Sequence, residues 1–199
     1  MMEKIILASG SKVRADLMKG AGLSFDIKPA DIDERAVEAA LTVDEMVPED
    51  IASILAQSKA EQISDIFPEA TIVGADQVLA LGDERFNKPA DMEAARRQLL
   101  ALSGKTHTLH SAVVCVKNGK TVWRHVSSAH LTMRAFDGVF VGRYLAKAGK
   151  TALQSVGCYQ LEGLGIQLFE RLEGDYFTIL GMPMLPLLAF LRNQKLLEA

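Results

Sequence analysis

Residues 71–81 read Thr-Ile-Val-Gly-Ala-Asp-Gln-Val-Leu-Ala-Leu, a run of β-formers and small apolar residues with a carboxylate and an amide at its centre. A continuous apolar run predicts a strand covered on both faces, and such strands belong to sheets with helices packed above and below. Burying an unpaired ionised carboxylate costs on the order of several kcal/mol, so Asp76 needs a cation, hydrogen-bond donors or a cleft. A charge at the end of a buried strand is where α/β folds place their sites. Asp76 is therefore read as a metal-binding or catalytic residue, with a structural ion pair as the alternative.

A second strand-like run opens the chain. Ile5 to Ala8 are apolar, Ser9-Gly10-Ser11 permits a tight turn, and residues 12–19 carry Val13, Leu17 and Met18 at helical spacing before Gly20-Ala21-Gly22. This predicts strand, turn and a short helix capped by Ser11. The free N–H groups of the helix's first turn, the hydroxyls of Ser9 and Ser11, and the cations of Lys12 and Arg14 would form an anion cradle beyond the strand, unless the turn is an ordinary connection.

The remaining pattern alternates helices and strands. Residues 24–29 suggest a second strand, followed by a polar stretch with Asp31, Asp33 and Glu34 that reads as a solvated loop. Pro48, Glu49 and Asp50 suit a helix start, and the pattern runs to about Ile66 with Ile51, Leu55, Lys59 and Ile63 at intervals of four. Lys59 thus lies on the buried stripe, either snorkelling or pointing into a polar pocket. After a turn at Gly82-Asp83-Glu84-Arg85, Asp91 caps a helix with Ala95, Leu99 and Leu102 inward, closed by Ser103-Gly104. Residues 107–117 and 121–136 flank Asn118-Gly119, an antiparallel hairpin signal. Residues 138–148 form a helix with Val139, Tyr144 and Leu145 expected inside, and the glycine-rich segment 157–165 reads as a tight loop.

Composition bounds the function. The chain of 199 residues is 49% hydrophobic and 24% charged, which suits one large globular domain. A net charge of −3 argues against nonspecific nucleic-acid binding, so an anionic substrate needs a locally basic pocket. Cys115 and Cys158 have no cysteine neighbour, no zinc spacing is present, and the pair reads as free thiols in a reducing compartment. Met1 and Glu3 lead directly into a run shorter than a signal peptide's apolar core, and the leucine-rich end of the chain, broken by Gly181, Pro183 and Pro186, is too short to span a membrane. A cytoplasmic protein without a membrane partner is expected, with a homodimer left open.

Several segments together resemble the Maf proteins, which are nucleoside triphosphate pyrophosphatases. Leu7-Ala8-Ser9-Gly10-Ser11 with Arg14 and Leu17 is similar to the signature Leu-Ala-Ser-x-Ser-Pro-Arg-Arg-x-x-Leu, although Lys12 and Val13 replace its proline and first arginine. Leu55-Ala56 with Lys59-Ala60, Gly74-Ala75-Asp76-Gln77-Val78, Asn87-Lys88-Pro89 and Gly157-Cys158-Tyr159 through Glu162-Gly163 resemble further family motifs in the same order. So do Gly174-Asp175-Tyr176 and Gly181-Met182-Pro183, and His107 sits where the family has a histidine, although a lone histidine is more often structural.

The resemblance implies one α/β domain over 1–199, with a twisted mixed central sheet flanked by helices, as in the inosine triphosphate pyrophosphatases. It implies Asp76 as the catalytic carboxylate. Ser9, Ser11, Lys12, Arg14, Lys59, Gln77 and Lys88 would bind substrate, and Glu34, Asp76 and Glu162 would bind Mg²⁺ or Mn²⁺. Gln77, where members acting on thymidine and uridine triphosphates have threonine, points to the 7-methyl-GTP pyrophosphatase subgroup and a house-cleaning role. The alternatives are a dTTP/UTP pyrophosphatase and a weakly catalytic nucleotide-binding regulator of division or septum formation.

Overall fold

The computed structural model describes residues 4–34, 36–37 and 46–198, so Met1 and Glu3 lie outside it. Its centre is one seven-stranded sheet. The strands are β1 (Ile5–Leu7), β2 (Asp26–Ile27), β3 (Thr71–Leu81), β4 (Glu84–Phe86), β5 (Thr106–Lys117), β6 (Lys120–Met133) and β7 (Phe169–Glu173). Their order is β2-β1-β3-β5-β6-β7, with β4 paired to β3 off that path. The β2-β1-β3 pairs are parallel and all the others antiparallel, so the sheet is mixed, as expected.

The helices that pack on the sheet or border the cleft include α1 (Lys12–Gly20), α2 (Pro48–Ile66), α3 (Met92–Leu102), α4 (Gly138–Ala148), the short α5 (Tyr176–Ile179) and α6 (Met184–Asn193). Helix α2 starts with Pro48 at its first turn and buries Ile51, Leu55, Ala56, Ala60 and Ile63 against Ile72, Val78 and Val114 of the sheet. A Cβ added at Gly74 would lie 2.1 Å from the Ala56 carbonyl oxygen and 2.9 Å from Ala60 Cβ. Only glycine lets α2 cross β3 this closely, and the close crossing carries Lys59, one turn on from Leu55, down to the strand. Opposite, Leu187, Phe190 and Leu191 of α6 pack with Met18 of α1 on Leu7, Val73 and Ala75. Helices α3 and α4 cover the remaining sheet through Leu99, Leu102, Val141 and Leu145.

Three expectations need correction. Glu84 and Arg85 are not turn residues: only Gly82-Asp83 turn, and Glu84–Phe86 returns as a strand paired with β3. Val139 is exposed in the first turn of α4, which Asp137 caps through the N–H groups of Val139 and Phe140; Val141 goes inside instead. Asp76 is not at a strand end. Its register to β5 runs unbroken from Ile72 opposite Val116 to Ala80 opposite Thr108.

Candidate functional site

The opening beside Asp76 is lateral. One edge of β3 is paired with β5 over 72–80, while its other edge pairs with β1 only over 71–73 and with β4 only over 79–81. Between these two short partners no strand among the described residues covers the backbone, and a cleft of about 1170 Å³ opens there. Its walls include Ser9, Ser11, Lys12, Val13 and Arg14 from the β1–α1 turn, and Glu34, Lys59, Asp76, Gln77, Lys88 and Glu162. A gap in strand pairing thus achieves what a strand end was expected to do. Because side chains alternate, Asp76 faces α2 and Gln77 faces the opposite layer, and the cleft wraps around the bare edge to reach both.

On the α2 side, Lys59 Nζ lies 2.6 Å from Asp76 Oδ1 and 2.6 Å from Glu34 Oε1. The side chains of Lys59 and Asp76 are each only 11% exposed, whereas Glu34 is about half exposed. Burial pushes the Asp76 carboxyl above the ordinary carboxylate range, a rise to which Glu34 adds and which Lys59 and Arg14 oppose. Glu34 shifts the other way: burial opposes its ionisation, but the hydrogen bond and charge of Lys59, with Lys88 and Arg14 behind, hold its carboxyl below the usual range. One ammonium is shared by two carboxylates, and the Arg14 guanidinium is the further cation that acts on both. Asp76 is the group strained towards taking up a proton or a further cation.

Arg14 has a different surrounding from that expected of a free phosphate fork. Its Nη1 donates to the Ala75 carbonyl at 2.8 Å and to Ser9 Oγ at 3.2 Å, and its Nε donates to the Gly181 carbonyl at 2.8 Å. The guanidinium takes the place of a missing strand partner at Ala75, and three of its five donor positions are committed to protein. Burial lowers its pKa against the charges of Asp76 and Glu34, and an arginine remains charged through such a shift. Sequence could not show this, because the second anchor lies 167 residues away.

At the α1 terminus, Ser11 Oγ accepts from the Arg14 N–H at 3.4 Å and caps the helix. Ser9 Oγ, buried, accepts from the Ser11 N–H at 3.3 Å. Lys12 does not converge on the cradle: its side chain is 88% exposed and bonded to Asp16, one turn along, at 2.5 Å. Lys88 stands exposed on the cleft rim after β4, and Gln98 Nε2 holds its loop through the Asn87 carbonyl at 2.8 Å. Asn87 does not need glycine's freedom there, since it is not among the described residues with positive φ. Glu162 is exposed on the cleft wall, and no three acidic, histidine or cysteine side chains converge as a metal group among the described residues, so Glu162 does not join Glu34 and Asp76.

Gln77 donates from Nε2 to Ser111 Oγ at 2.9 Å and to the carbonyls of Thr178 and Ile179 at 3.1 and 3.0 Å. Sequence reading missed Ser111 and Thr178 as partners, because nothing local links β5 to α5. His107 is a core residue, fully buried with Nε2 2.7 Å from the Tyr159 hydroxyl, and burial lowers its pKa to about 4. Cys115 and Cys158 are free and buried. No described helix is long and apolar enough to cross a membrane.

Comparison with known proteins gives one consistent result. Residues 4–194 match the family model described as Maf-like protein. The chain is 58% identical over 198 residues to the 7-methyl-GTP pyrophosphatase of Brucella abortus, covering 100% of both chains. It is 59% identical over 193 residues to the 7-methyl-GTP pyrophosphatase of Mesorhizobium japonicum, covering 97% of each. It is 50% identical over 193 residues to the nucleoside triphosphate pyrophosphatase of Rhodopseudomonas palustris, covering 97% of this chain and 95% of that one.

Proposed function

The chain belongs to the Maf family, and from that membership we propose that it hydrolyses a nucleoside triphosphate between its α and β phosphates, releasing the monophosphate and pyrophosphate. The preferred substrate in this reading is a modified nucleotide such as 7-methyl-GTP, in keeping with the names of its relatives. The role is the removal of unwanted nucleotides. The observation that carries it is the Glu34–Lys59–Asp76 triad at 2.6 Å spacings on the floor of a cleft rimmed by the cation of Lys88 and the amino end of α1.

A triphosphate brings about four negative charges, and this cleft meets them with separated devices. Ser9 and Ser11 shape the turn. Ser11 takes the Arg14 N–H, leaving those of Lys12 and Val13 to face an anion. Lys88 supplies an exposed rim charge, Arg14 offers what its Nη2 retains, and Lys12 acts only if it leaves Asp16.

Asp76 orients the attacking water and receives its proton, a task for which a carboxyl raised above its ordinary range is better matched than a free one. Lys59 keeps the floor from repelling the phosphates. The donor set suits a hard divalent cation, because Lys59 takes one oxygen of each carboxylate and a carboxylate has two. Mg²⁺ or Mn²⁺ held by Asp76 and Glu34 would neutralise phosphate charge and polarise the phosphorus under attack. Glu162, exposed on the cleft wall, stands apart from these two.

A panel of triphosphates, including 7-methyl-GTP, GTP, dTTP and UTP, with Mg²⁺ and a pyrophosphate-release readout tests the reading. Release that is fastest with 7-methyl-GTP supports it. Fastest release with dTTP or UTP would move the chain to the pyrimidine-directed reading, and tight binding without release would make it a nucleotide-binding regulator.

A further inference from the structure

The surroundings of Gln77 settle which end of its carboxamide meets a ligand. Three acceptors crowd Nε2: Ser111 Oγ at 2.9 Å, the Ile179 carbonyl at 3.0 Å and the Thr178 carbonyl at 3.1 Å. Ser111 is fully buried, and its own hydroxyl proton goes to the Thr178 carbonyl at 2.7 Å, so towards Gln77 the serine oxygen presents a lone pair. A flipped amide would set Oε1 against two carbonyl oxygens that have no proton to give. The wall behind is itself fixed. Asp175 Oδ2 accepts from the Thr178 N–H at 2.9 Å and from Thr178 Oγ1 at 3.2 Å, and the Asp175 carbonyl accepts from the Ile179 N–H at 3.1 Å.

Gln77 is half-buried and lines the cleft beside Ile179 and Leu180, on the face of β3 opposite to Asp76. A nucleotide with its phosphates near Asp76 would cross the bare edge of the strand and bring its base to this second face.

Resting on the pyrophosphatase reading above, we propose that Ser111 is a positioning residue which, with the carbonyls of Thr178 and Ile179, locks Gln77 so that it offers the cleft only the acceptor Oε1. The site therefore selects a base edge that carries donors. Guanine presents N1–H and N2–H₂ side by side, and alkylation at N7, which acidifies N1–H, keeps the N2–H₂ donors. Adenine presents a bare acceptor at N1, which would face Oε1 lone pair to lone pair. A polar group matched by one base and left unpaired by another discriminates far more than an apolar contact does.

The test compares kcat/KM for pyrophosphate release from GTP, ITP and ATP under one Mg²⁺ concentration. Inosine lacks the exocyclic donor and keeps N1–H, so the expected order is GTP, ITP, ATP, with GTP at least about tenfold above ATP. Ser111→Ala removes one of the three acceptors and loosens the amide against the two carbonyls that remain, and should shrink the GTP to ATP ratio at least threefold, chiefly through KM. Gln77→Met, close in shape without the amide, should bring the ratio near one. Equal efficiencies for GTP and ATP in the unmodified protein would overturn the proposal without any variant. An unchanged ratio in a Ser111→Ala protein that melts normally would overturn it as well. Hydrolysis without base preference would sink this inference alone, whereas no hydrolysis of any triphosphate would overturn the reading on which it rests.

Discussion

The ammonium of Lys59 bonds to Asp76 at 2.6 Å across the contact between α2 and β3, and Glu34 completes the bridge at the same distance from the other side. Lys59 reaches this place because Gly74 allows the helix backbone to approach the strand where any side chain would collide with it. Packing thus sets the charge geometry of the floor.

Asp76→Asn should leave the fold intact and lower turnover at least about a hundredfold, since the amide keeps the shape without the charge. Its stability has a definite sign. A carboxyl whose folded pKa lies above its unfolded value carries a cost that is present above the folded pKa and vanishes below about 3.9, the unfolded value. The variant, with Lys59 still held by Glu34, should therefore melt no lower than the parent at pH 7.5 and lose any advantage as pH falls. Thermal melts across pH check this, and a large loss of Tm at pH 7.5 would show ionised Asp76 to be a net stabilising partner.

His107 should dominate part of the acid limb of stability. Its folded pKa of about 4 lies below the unfolded value of about 6.5, so stability is full above 6.5 and falls as pH drops towards 4. The depression corresponds to about 3 kcal/mol over that window. Denaturant titrations between pH 7 and 4 measure the slope. His107→Gln, which removes the titrating group, should flatten it, and an equally steep slope in that variant would assign the loss to other groups.

Arg14→Lys should destabilise, because one ammonium cannot reach Ala75, Ser9 and Gly181 as the guanidinium does. Leaving buried carbonyls short of a donor costs about 1–3 kcal/mol each, which for a chain of this size corresponds to a fall in Tm of roughly 5–15 °C. A calorimetric scan decides. An unchanged Tm with a raised KM would make Arg14 a phosphate ligand rather than a clasp.

Helix α2, strand β3 and the hairpin of β5 and β6 were legible in the sequence because local periodicity, Pro48 and Asn118-Gly119 determine them. Strands β4 and β7 were not: Glu84–Phe86 is only three residues long with a single buried side chain, Phe86, and Phe169–Glu173 is exposed beyond its half-buried first residue, so neither carries a burial pattern long enough to read. In the site, the anomaly of Asp76 within apolar residues pointed to the cleft, and Lys59 on a buried stripe pointed to its partner. The clasp from Arg14 to Gly181 and the bonds from Gln77 to Ser111 and Thr178 join distant segments, so only the folded chain displays them.

Val13→Arg tests the departure from the family signature. Val13 is half-buried in the cleft wall at the first turn of α1, a place from which a longer side chain reaches the opening. The added charge should lower KM for the triphosphate severalfold, about 1 kcal/mol, with the melting temperature unchanged. A fall in Tm with a higher KM would show that Val13 is needed for packing.

Phosphorus NMR of the products formed from 7-methyl-GTP with Mg²⁺ tests the central claim most directly. The account predicts 7-methyl-GMP and pyrophosphate in equal amounts, formed by the parent protein and suppressed at least about a hundredfold in Asp76→Asn. Appearance of the nucleoside diphosphate with orthophosphate, or the same products at an undiminished rate in Asp76→Asn, would contradict it.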